Sequence, residues 1–239
     1  MFDLNKIMEL PPYSLKKSEK TALYNDAVNY LTTFHYENCL HYKRILDVLG
    51  FNPNLRKSIT DLPFLPVRIF KNFDLISIDN SKIIKIMESS GTSGKSVSRI
   101  FLDKVNAINQ TKVLKIIVAD FLGEKRLPMI IIDTNSVLRD RNKFSARGAG
   151  ILGFSIFGKE IIYVLDENMN LDINSLISFC KKHKNEQILI FGFTSIIWEY
   201  FYETLLSLGK NIKINNSIIV HGGGWKKLIE KEIDNKTYK

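Results

Sequence analysis

The chain has 239 residues, of which 45% are apolar and 25% charged, so it is long enough to bury a hydrophobic core in one or two domains. This composition excludes a disordered or repetitive chain, and no apolar run approaches the roughly 20 residues that span a bilayer. The net charge of +9 favours an anionic ligand such as a nucleotide, although it also permits nonspecific nucleic-acid binding.

The excess positive charge lies in the middle of the chain, where residues 51–100 and 101–150 each carry a net +4. No RNA-recognition, helix-turn-helix or zinc-finger pattern accompanies this charge, so nucleic acid is not the expected partner. The two cysteines, Cys39 and Cys180, lack metal-ligand spacing, which indicates reduced thiols and no metal site. Because the N-terminal residues also lack the layout of a secretory signal, we predict a cytoplasmic protein.

The first 60 residues are predicted to form a helical segment that packs on the main domain, which covers residues 61–239. The spacing of apolar residues between 15 and 49 is helical and breaks near residues 34–37, which predicts two helices ending at Gly50.

Two prolines interrupt the apolar run at residues 61–71, so this run cannot form a regular helix or a central strand. We expect it to lie extended across the body of the protein, anchored by Phe64, Leu65 and Phe70.

Residues 89–96, Ser-Ser-Gly-Thr-Ser-Gly-Lys-Ser, follow two predicted strands at 75–78 and 82–87, which are joined by a turn at 79–81. The glycines let the backbone approach a ligand, the hydroxyls donate hydrogen bonds and Lys95 supplies a positive charge. This combination is typical of a phosphate-binding loop. A plain Gly/Ser turn between two strands explains the composition equally well.

The same eight residues match the Walker pattern except that Ser89 replaces the first glycine. A P-loop NTPase would start a long helix at Lys95, whereas residues 97–102 are rich in β-branched and aromatic side chains and are predicted to form a strand. We therefore place the loop at the tip of a β-hairpin, before a helix that Asp103 caps and that runs to Leu122. A P-loop NTPase stays the alternative that a strand at 97–102 would exclude.

Strands and helices alternate in the remainder of the chain. The predicted strands are 128–133, 161–165, 187–193 and 217–220; the predicted helices are 171–184 and 194–208; residues 135–158 form a basic, glycine-containing connection. The alternation predicts an α/β fold with a mostly parallel sheet and flanking helices.

The last predicted strand leads into His221-Gly-Gly-Gly-Trp225, and ligands of such sheets bind beyond the carboxyl ends of the strands. Three successive glycines let a flat ligand lie close to the backbone. The alternative is a flexible strand-to-helix turn in which Trp225 caps the core.

Three stretches in this order resemble one family: Leu-Pro-Phe-Leu-Pro-Val-Arg-Ile-Phe-Lys at 62–71, the glycine loop at 89–96, and Val-His-Gly-Gly-Gly-Trp-Lys-Lys at 220–227. They resemble the adenylate-forming enzymes and, among these, the LuxE-type acyl-protein synthetases. Residues 191–195, Phe-Gly-Phe-Thr-Ser, also resemble the strand-turn-helix that the superfamily places between the second and third stretches.

This resemblance implies the ATP- and Mg-dependent activation of a carboxylic acid, expected to be a fatty acid, to an acyl-adenylate that is transferred to a thiol. It implies that the phosphates are held by Ser90, Gly91, Thr92, Ser93, Gly94 and Lys95. The adenine and acyl-phosphate side would be lined by His221, Gly222, Gly223, Gly224 and Trp225. Lys95 and His221 are the candidates for a catalytic role.

The resemblance also implies that the acceptor cysteine, the ribose-binding aspartate and the small C-terminal domain lie outside this sequence. The expected partners are the carboxylic acid and either an acyl-carrier or acyl-transferase protein or a second chain that supplies the C-terminal part. The alternative function is a non-catalytic, truncated relative that binds a nucleotide or an acyl-carrier partner.

Overall fold

The computed structural model describes residues 2–88, 97–138, 146–214, 216–225, 229–230 and 232–234. The chain forms two compact units, Met1–Phe121 and Leu122–Lys239. The helical segment predicted for residues 1–60 lies within the first unit, and the domain boundary predicted after residue 60 stays a prediction. Of the helices in the described ranges, none is both long and apolar enough to cross a membrane.

The first unit is mainly helical. Its helices are α1 (Leu4–Met8), α2 (Lys17–Asn38), α3 (Leu40–Val48), α4 (Ile69–Asn72) and α5 (Lys104–Leu122), with 3-10 turns at Ile59–Asp61 and Asn80–Lys82. The two predicted N-terminal helices are confirmed, but α2 continues through residues 34–37. The break falls at Cys39, whose φ of −127° is extended.

A small hydrophobic core in this unit is built from Leu46, Phe51 and Leu62. Leu62 is the buried residue of the proline-containing run. The prediction that Phe64 anchors this run is wrong, because its side chain is 87% exposed. The run is irregular at residues 63–66 and turns at 67–68 into α4, so it is extended only in part, and this irregular path lets Phe64 point into solvent although Leu62 is buried.

An antiparallel hairpin of β1 (Ile83–Glu88) and β2 (Arg99–Asp103) completes the first unit. The strand predicted at 75–78 is wrong: these residues are irregular, and Asp79 accepts a hydrogen bond from the backbone N–H of Ser81 to start a 3-10 turn. Loop residues 89–96 lie outside the described residues. The chain after them enters β2 instead of a helix, which excludes the P-loop NTPase alternative.

Asp103 caps α5 as predicted, since its carboxylate accepts a hydrogen bond from the backbone N–H of Asn106 at 2.7 Å. This cap explains why the chain turns directly from β2 into a long helix.

The second unit is an α/β layer structure. Its strands are β3 (Leu127–Thr134), β4 (Gly158–Leu165), β5 (Ile188–Phe193) and β6 (Ser217–Gly222). Its helices are α6 (Ala146–Ser155), α7 (Ile173–Lys182), α8 (Thr194–Ile196) and α9 (Glu203–Ser207), with a π-helical segment at Ile197–Tyr202 and a 3-10 turn at Asn135–Leu138. The strands are all parallel, in the order β4-β3-β5-β6, which confirms the predicted α/β fold.

Both faces of this sheet are covered. On one face, Ile130 and Ile132 of β3 pack with Leu176 and Phe179 of α7. On the other face, the ring of Phe191 in β5 stacks on Phe154 of α6, with 4.4 Å between the ring centroids. Because successive residues of a strand point to opposite faces, the continuous apolar runs in β3 and β5 fill both layers at once.

Helix α6 was missed by the sequence prediction, which placed a connection at residues 135–158. Glycines at 148, 150 and 153 lower its intrinsic helix propensity. The packing explains one of them: a Cβ on Gly150 would lie 3.1 Å from the Phe193 ring, so the bare backbone lets α6 sit close to β5.

Candidate functional site

The strand order creates a binding edge at the carboxyl ends of the parallel strands. The connection from β3 leads to β4 on one side, whereas the connection from β5 leads to β6 on the other side. Neighbouring connections that leave in opposite directions open a crevice at this edge, and ligands of parallel sheets bind there. The residues at the edge are Thr134 at the end of β3, Thr194 directly after β5, and His221 and Gly222 at the end of β6.

Thr194 joins two strands at this edge through its hydroxyl. Its Oγ1 donates a hydrogen bond to the carbonyl oxygen of Gly222 at 3.1 Å and lies 3.0 Å from Nδ1 of His221. The hydroxyl has one hydrogen, and the carbonyl can only accept, so His221 Nδ1 is the donor to Oγ1. In the neutral ring Nε2 is then the unprotonated nitrogen, which defines the tautomer of this histidine.

The side chain of Thr194 is only 6% exposed, and the pairing of β5 with β6 brings His221 and Gly222 next to it. Gly192 is paired with His221 and Phe193 with Gly222 along the ladder between β5 and β6. Two contacts therefore fix the position of His221: the backbone ladder between β5 and β6, and the hydrogen bond to the buried hydroxyl of Thr194.

The three glycines after Val220 differ in their surroundings. Gly223 has a φ of +87°, and a Cβ built on it would lie 2.7 Å from Cδ1 of Phe193. Gly224 also has a positive φ, of +63°, but a Cβ there would meet nothing within 4 Å, and the same space is open at Gly222. The chain thus turns tightly over Phe193 and presents exposed backbone on its outer side.

Trp225 leaves this turn towards the interior. It is 8% exposed, and its ring meets that of Trp198, in the π-helical segment, edge to face with 5.5 Å between centroids. Such an edge-to-face pair adds to the stabilisation from burial. The contact fixes the far end of the glycine turn, and a role for Trp225 as a pocket wall stays a prediction.

A buried ion pair stands at the end of β3. Asp133 is fully buried, and Arg147, near the start of α6, donates to both of its carboxylate oxygens, with Nε to Oδ2 at 2.6 Å. The backbone N–H of Thr134 donates to the same carboxylate at 2.6 Å. A bidentate arginine compensates a charge that would be costly to bury alone. The pair therefore ties the start of α6 to the binding edge.

The structure thus brings together five of the residues predicted for the site: His221, Gly222, Gly223, Gly224 and Trp225. The other predicted residues, Ser90, Gly91, Thr92, Ser93, Gly94 and Lys95, lie outside the described residues. The contacts of Thr194 and of the pair Asp133–Arg147 were not predicted. A threonine directly after the apolar strand 188–193, and an aspartate near the end of the apolar strand 127–134, were the available signals.

The described part of the chain contains no group of three or more His, Cys, Asp or Glu side chains placed to hold a metal ion. Mg²⁺ in nucleotide sites is bound largely by phosphate oxygens and water, so such a group is not required for it.

The two thiols are shielded. Cys39 is 3% exposed, and burial raises the pKa of the Cys180 thiol, which lowers its thiolate fraction at neutral pH. Cys180 is therefore a poor candidate for a reactive thiolate, although the lysines at 181, 182 and 184 follow it closely.

Comparison with known proteins gives one match along almost the whole chain. A family model described as "Acyl-protein synthetase, LuxE" matches residues 3–239. The chain is also similar to a phenylacetate-coenzyme A ligase of Thermus thermophilus, with 28% identity over 88 residues, which are 34% of this chain and 20% of that protein. A phenylacetate-coenzyme A ligase of Aromatoleum evansii is 29% identical over 91 residues, which are 36% of this chain and 21% of that protein. The chain therefore spans about a fifth of the length of each of these relatives.

Proposed function

Because the chain belongs to the LuxE acyl-protein synthetase family, we propose that it activates a carboxylic acid with ATP, or forms the nucleotide-binding part of a ligase that does so. The proposed acid is a fatty acid, the proposed intermediate is an acyl-adenylate, and the proposed acceptor is a thiol. The similarity to two CoA ligases supports the activation of an acid by ATP.

The observation that carries this proposal is the junction of Thr194, His221 and Gly222 at the carboxyl ends of β5 and β6. It holds an exposed glycine backbone at the edge where parallel sheets bind their ligands. A Cβ at Gly222 or Gly224 would meet nothing within 4 Å, and this open space beside exposed backbone supports the placement of a flat purine ring there, where backbone N–H and C=O groups would pair with its edge.

In the proposed reaction a carboxylate oxygen of the acid attacks the α-phosphorus of ATP. The bond from that phosphorus to the bridging oxygen breaks, and pyrophosphate leaves with the electron pair. The protein's task is to position the two reactants and to stabilise charge with fixed donors. We assign the β- and γ-phosphates to the loop from Ser90 to Lys95, and the adenine and acyl-phosphate side to the turn from His221 to Trp225. When bound, Mg²⁺ would neutralise part of the phosphate charge.

The acceptor thiol is not assigned to either cysteine. Cys39 is buried and burial raises the pKa of Cys180, and neither property suits a nucleophile. The proposed acceptor is a thiol on a carrier, on an acyl-transferase partner or on a separate C-terminal part.

The test is nucleotide binding by calorimetry combined with ATP–pyrophosphate exchange in the presence of fatty acids. The variant Thr194→Val removes the hydroxyl that connects Gly222 to His221, and we expect it to weaken ATP binding by about tenfold, since one such hydrogen-bonding group contributes on the order of 1.5 kcal/mol.

The matched control is Thr111→Val, which removes an exposed hydroxyl that donates to a helix carbonyl, that of Ala107 at 3.2 Å. Its ATP affinity should stay within about twofold of the wild type. ATP binding without exchange would favour the alternative of a non-catalytic nucleotide-binding relative. Absence of ATP binding by the wild-type chain would overturn both the proposed function and this alternative.

A further inference from the structure

The first unit contains an apolar cavity of about 480 Å³. This volume falls in the range of roughly 300–1,000 Å³ that is usual for small-molecule sites. The walls come from α1, from the Pro11–Leu15 segment, from the first half of α2 and from the middle of α5. The residues that face it are aliphatic and aromatic with few exceptions.

Each helix contributes residues spaced by three and four positions, so the cavity is built by whole helix faces. Helix α5 supplies Val113, Ile116 and Ile117, and α2 supplies Leu23 and Ala27. Residues at these spacings lie on one side of a helix, and apolar faces of this kind normally close on one another. Here they leave a space between them.

Among the lining residues that the structure describes, Lys20 is the one charged side chain and none carries a carboxylate. Lys20 lies on the same face of α2 as Leu23, one turn before it. A lysine can extend its aliphatic stem along an apolar wall while its ammonium group stays in water. The charge at this site therefore complements a ligand with an apolar body and an anionic head.

A strained residue borders the same cavity. Tyr13, which lines it, has a φ of +63°, and such a backbone conformation is rare for a bulky residue. Its ring contacts Phe121 near the end of α5, with 6.1 Å between centroids. The positive φ belongs to a tight turn, in which the backbone N–H of Ser14 donates to the carbonyl oxygen of Pro11 at 3.2 Å, and all four residues of this turn line the cavity.

From these features we propose that the cavity of the first unit binds the hydrocarbon chain of a fatty acid, with its carboxylate at Lys20. The inference rests on the proposed function for the identity of the acid, and it assigns a site that holds the acid before it reacts, when its carboxylate leaves Lys20 for the α-phosphorus of ATP. Binding at the cavity does not require ATP, so it can be measured apart from the nucleotide.

The experiment is a fluorescence titration of the full chain with cis-parinaric acid in the absence of ATP, followed by displacement with palmitate and with methyl palmitate. We expect saturable binding at one site with a dissociation constant in the micromolar range, about 1–10 μM. Palmitate should displace the probe more effectively than its uncharged ester. In Lys20→Gln that preference should fall by about threefold or more.

Ala27→Phe fills the cavity and should weaken probe binding at least tenfold, roughly the effect of excluding a chain from its pocket. Ala22→Phe, the same substitution at an exposed position of α2, is the matched control and should change affinity by less than about twofold. Circular dichroism checks that both variants fold. If Ala27→Phe does not fold, a diazirine-bearing fatty acid provides the second measurement, and it should label residues 4–27 or 113–117.

Absence of saturable binding, equal affinity of Ala27→Phe and Ala22→Phe, or labelling confined to other residues would overturn the proposal. If the wild-type chain binds ATP but no fatty acid, the cavity is rejected as a fatty-acid site and the proposed function is unaffected. If the wild-type chain binds fatty acid but no ATP, the proposed function is rejected and the fatty-acid site remains.

Discussion

Thr194 and Gly223 are the two residues whose local chemistry shapes the binding edge. The hydroxyl of Thr194 satisfies the Gly222 carbonyl and selects the tautomer of His221. Gly223 lets the chain pass over the Phe193 ring with a positive φ. One residue therefore fixes a side chain, and the other permits a backbone path that a β-carbon would block.

Gly223→Ala should destabilise the protein by more than about 2 kcal/mol, because it adds a clash with Phe193 to the cost of a positive φ, itself on the order of 1–2 kcal/mol. Gly224→Ala is the matched control: its φ is also positive, but its Cβ would occupy open space, so only the backbone cost of about 1 kcal/mol is expected. Urea unfolding measures both. Equal losses would show that the Phe193 contact does not matter, and Phe193→Leu should partly rescue Gly223→Ala.

At the scale of elements, charged side chains connect β4 to the C-terminal end of α7. Glu160 of β4 accepts from Lys182 at 2.6 Å and lies 3.3 Å from Nε2 of His183, which follows α7. Glu186 accepts from Lys159 and lies 2.8 Å from Nδ1 of His183. His183 is 4% exposed, so this network covers a buried imidazole at the edge of the sheet.

Hydrogen bonds from Lys182 and Lys159 hold the pKa values of Glu160 and Glu186 below their ordinary value of 4.5. Carboxylates whose pKa is lower in the folded state bind fewer protons there than in the unfolded chain. Their contribution to stability is therefore present above pH 4.5 and is lost as the pH falls below it.

We expect the urea midpoint to drop between pH of about 6 and about 3.5, and the variant Glu160→Gln/Glu186→Gln to show a smaller drop. Glu37→Gln, on an exposed part of α2, changes the charge without touching this network and serves as the control. A double variant that loses as much stability in acid as the wild type would contradict a role for the network.

Helix boundaries illustrate how neighbouring elements override local pattern. The spacing of apolar residues predicted a break between two helices at residues 34–37. These residues instead continue α2, because Tyr36 donates a hydrogen bond to Asp47 of α3 at 2.6 Å and packs on Phe51. In the same way, the glycines at 148, 150 and 153 led to the prediction of an irregular connection, whereas packing against Phe191 and Phe193 stabilises helix α6 there. Tertiary contacts outweighed propensity in both cases.

At the scale of the whole molecule, the net charge of +9 should draw anions to the protein. The binding of ATP should therefore weaken several-fold when NaCl is raised from about 50 mM to about 500 mM, since the Debye length then falls well below the size of the protein. Adenosine, which carries no charge, should bind with unchanged affinity under the same conditions. A salt response shared by both ligands would contradict an electrostatic origin, and calorimetry distinguishes the two outcomes.

Much of the architecture was predictable, for identifiable reasons. The runs 128–133 and 187–193 are short and almost wholly apolar, as strands buried on both faces must be, and they alternate with helical patterns. The cap at Asp103 was predictable because an N-cap depends on one side chain and the next few amides. The irregular path of residues 75–78 was not predictable, because a strand forms only where a partner strand lies beside it, and that partner is distant in sequence.

Local residue chemistry was thus enough to predict the parallel α/β class, the hairpin around residues 89–96, the glycine turn after β6 and the resemblance that the family match confirms. These features depend on periodicity, caps and short motifs, which reside in neighbouring residues. The link from Thr194 to His221, the burial of Asp133 under Arg147 and the cavity beside Lys20 required the folded chain. Each joins residues that are distant in sequence, and only strand order and helix packing decide which of those meet.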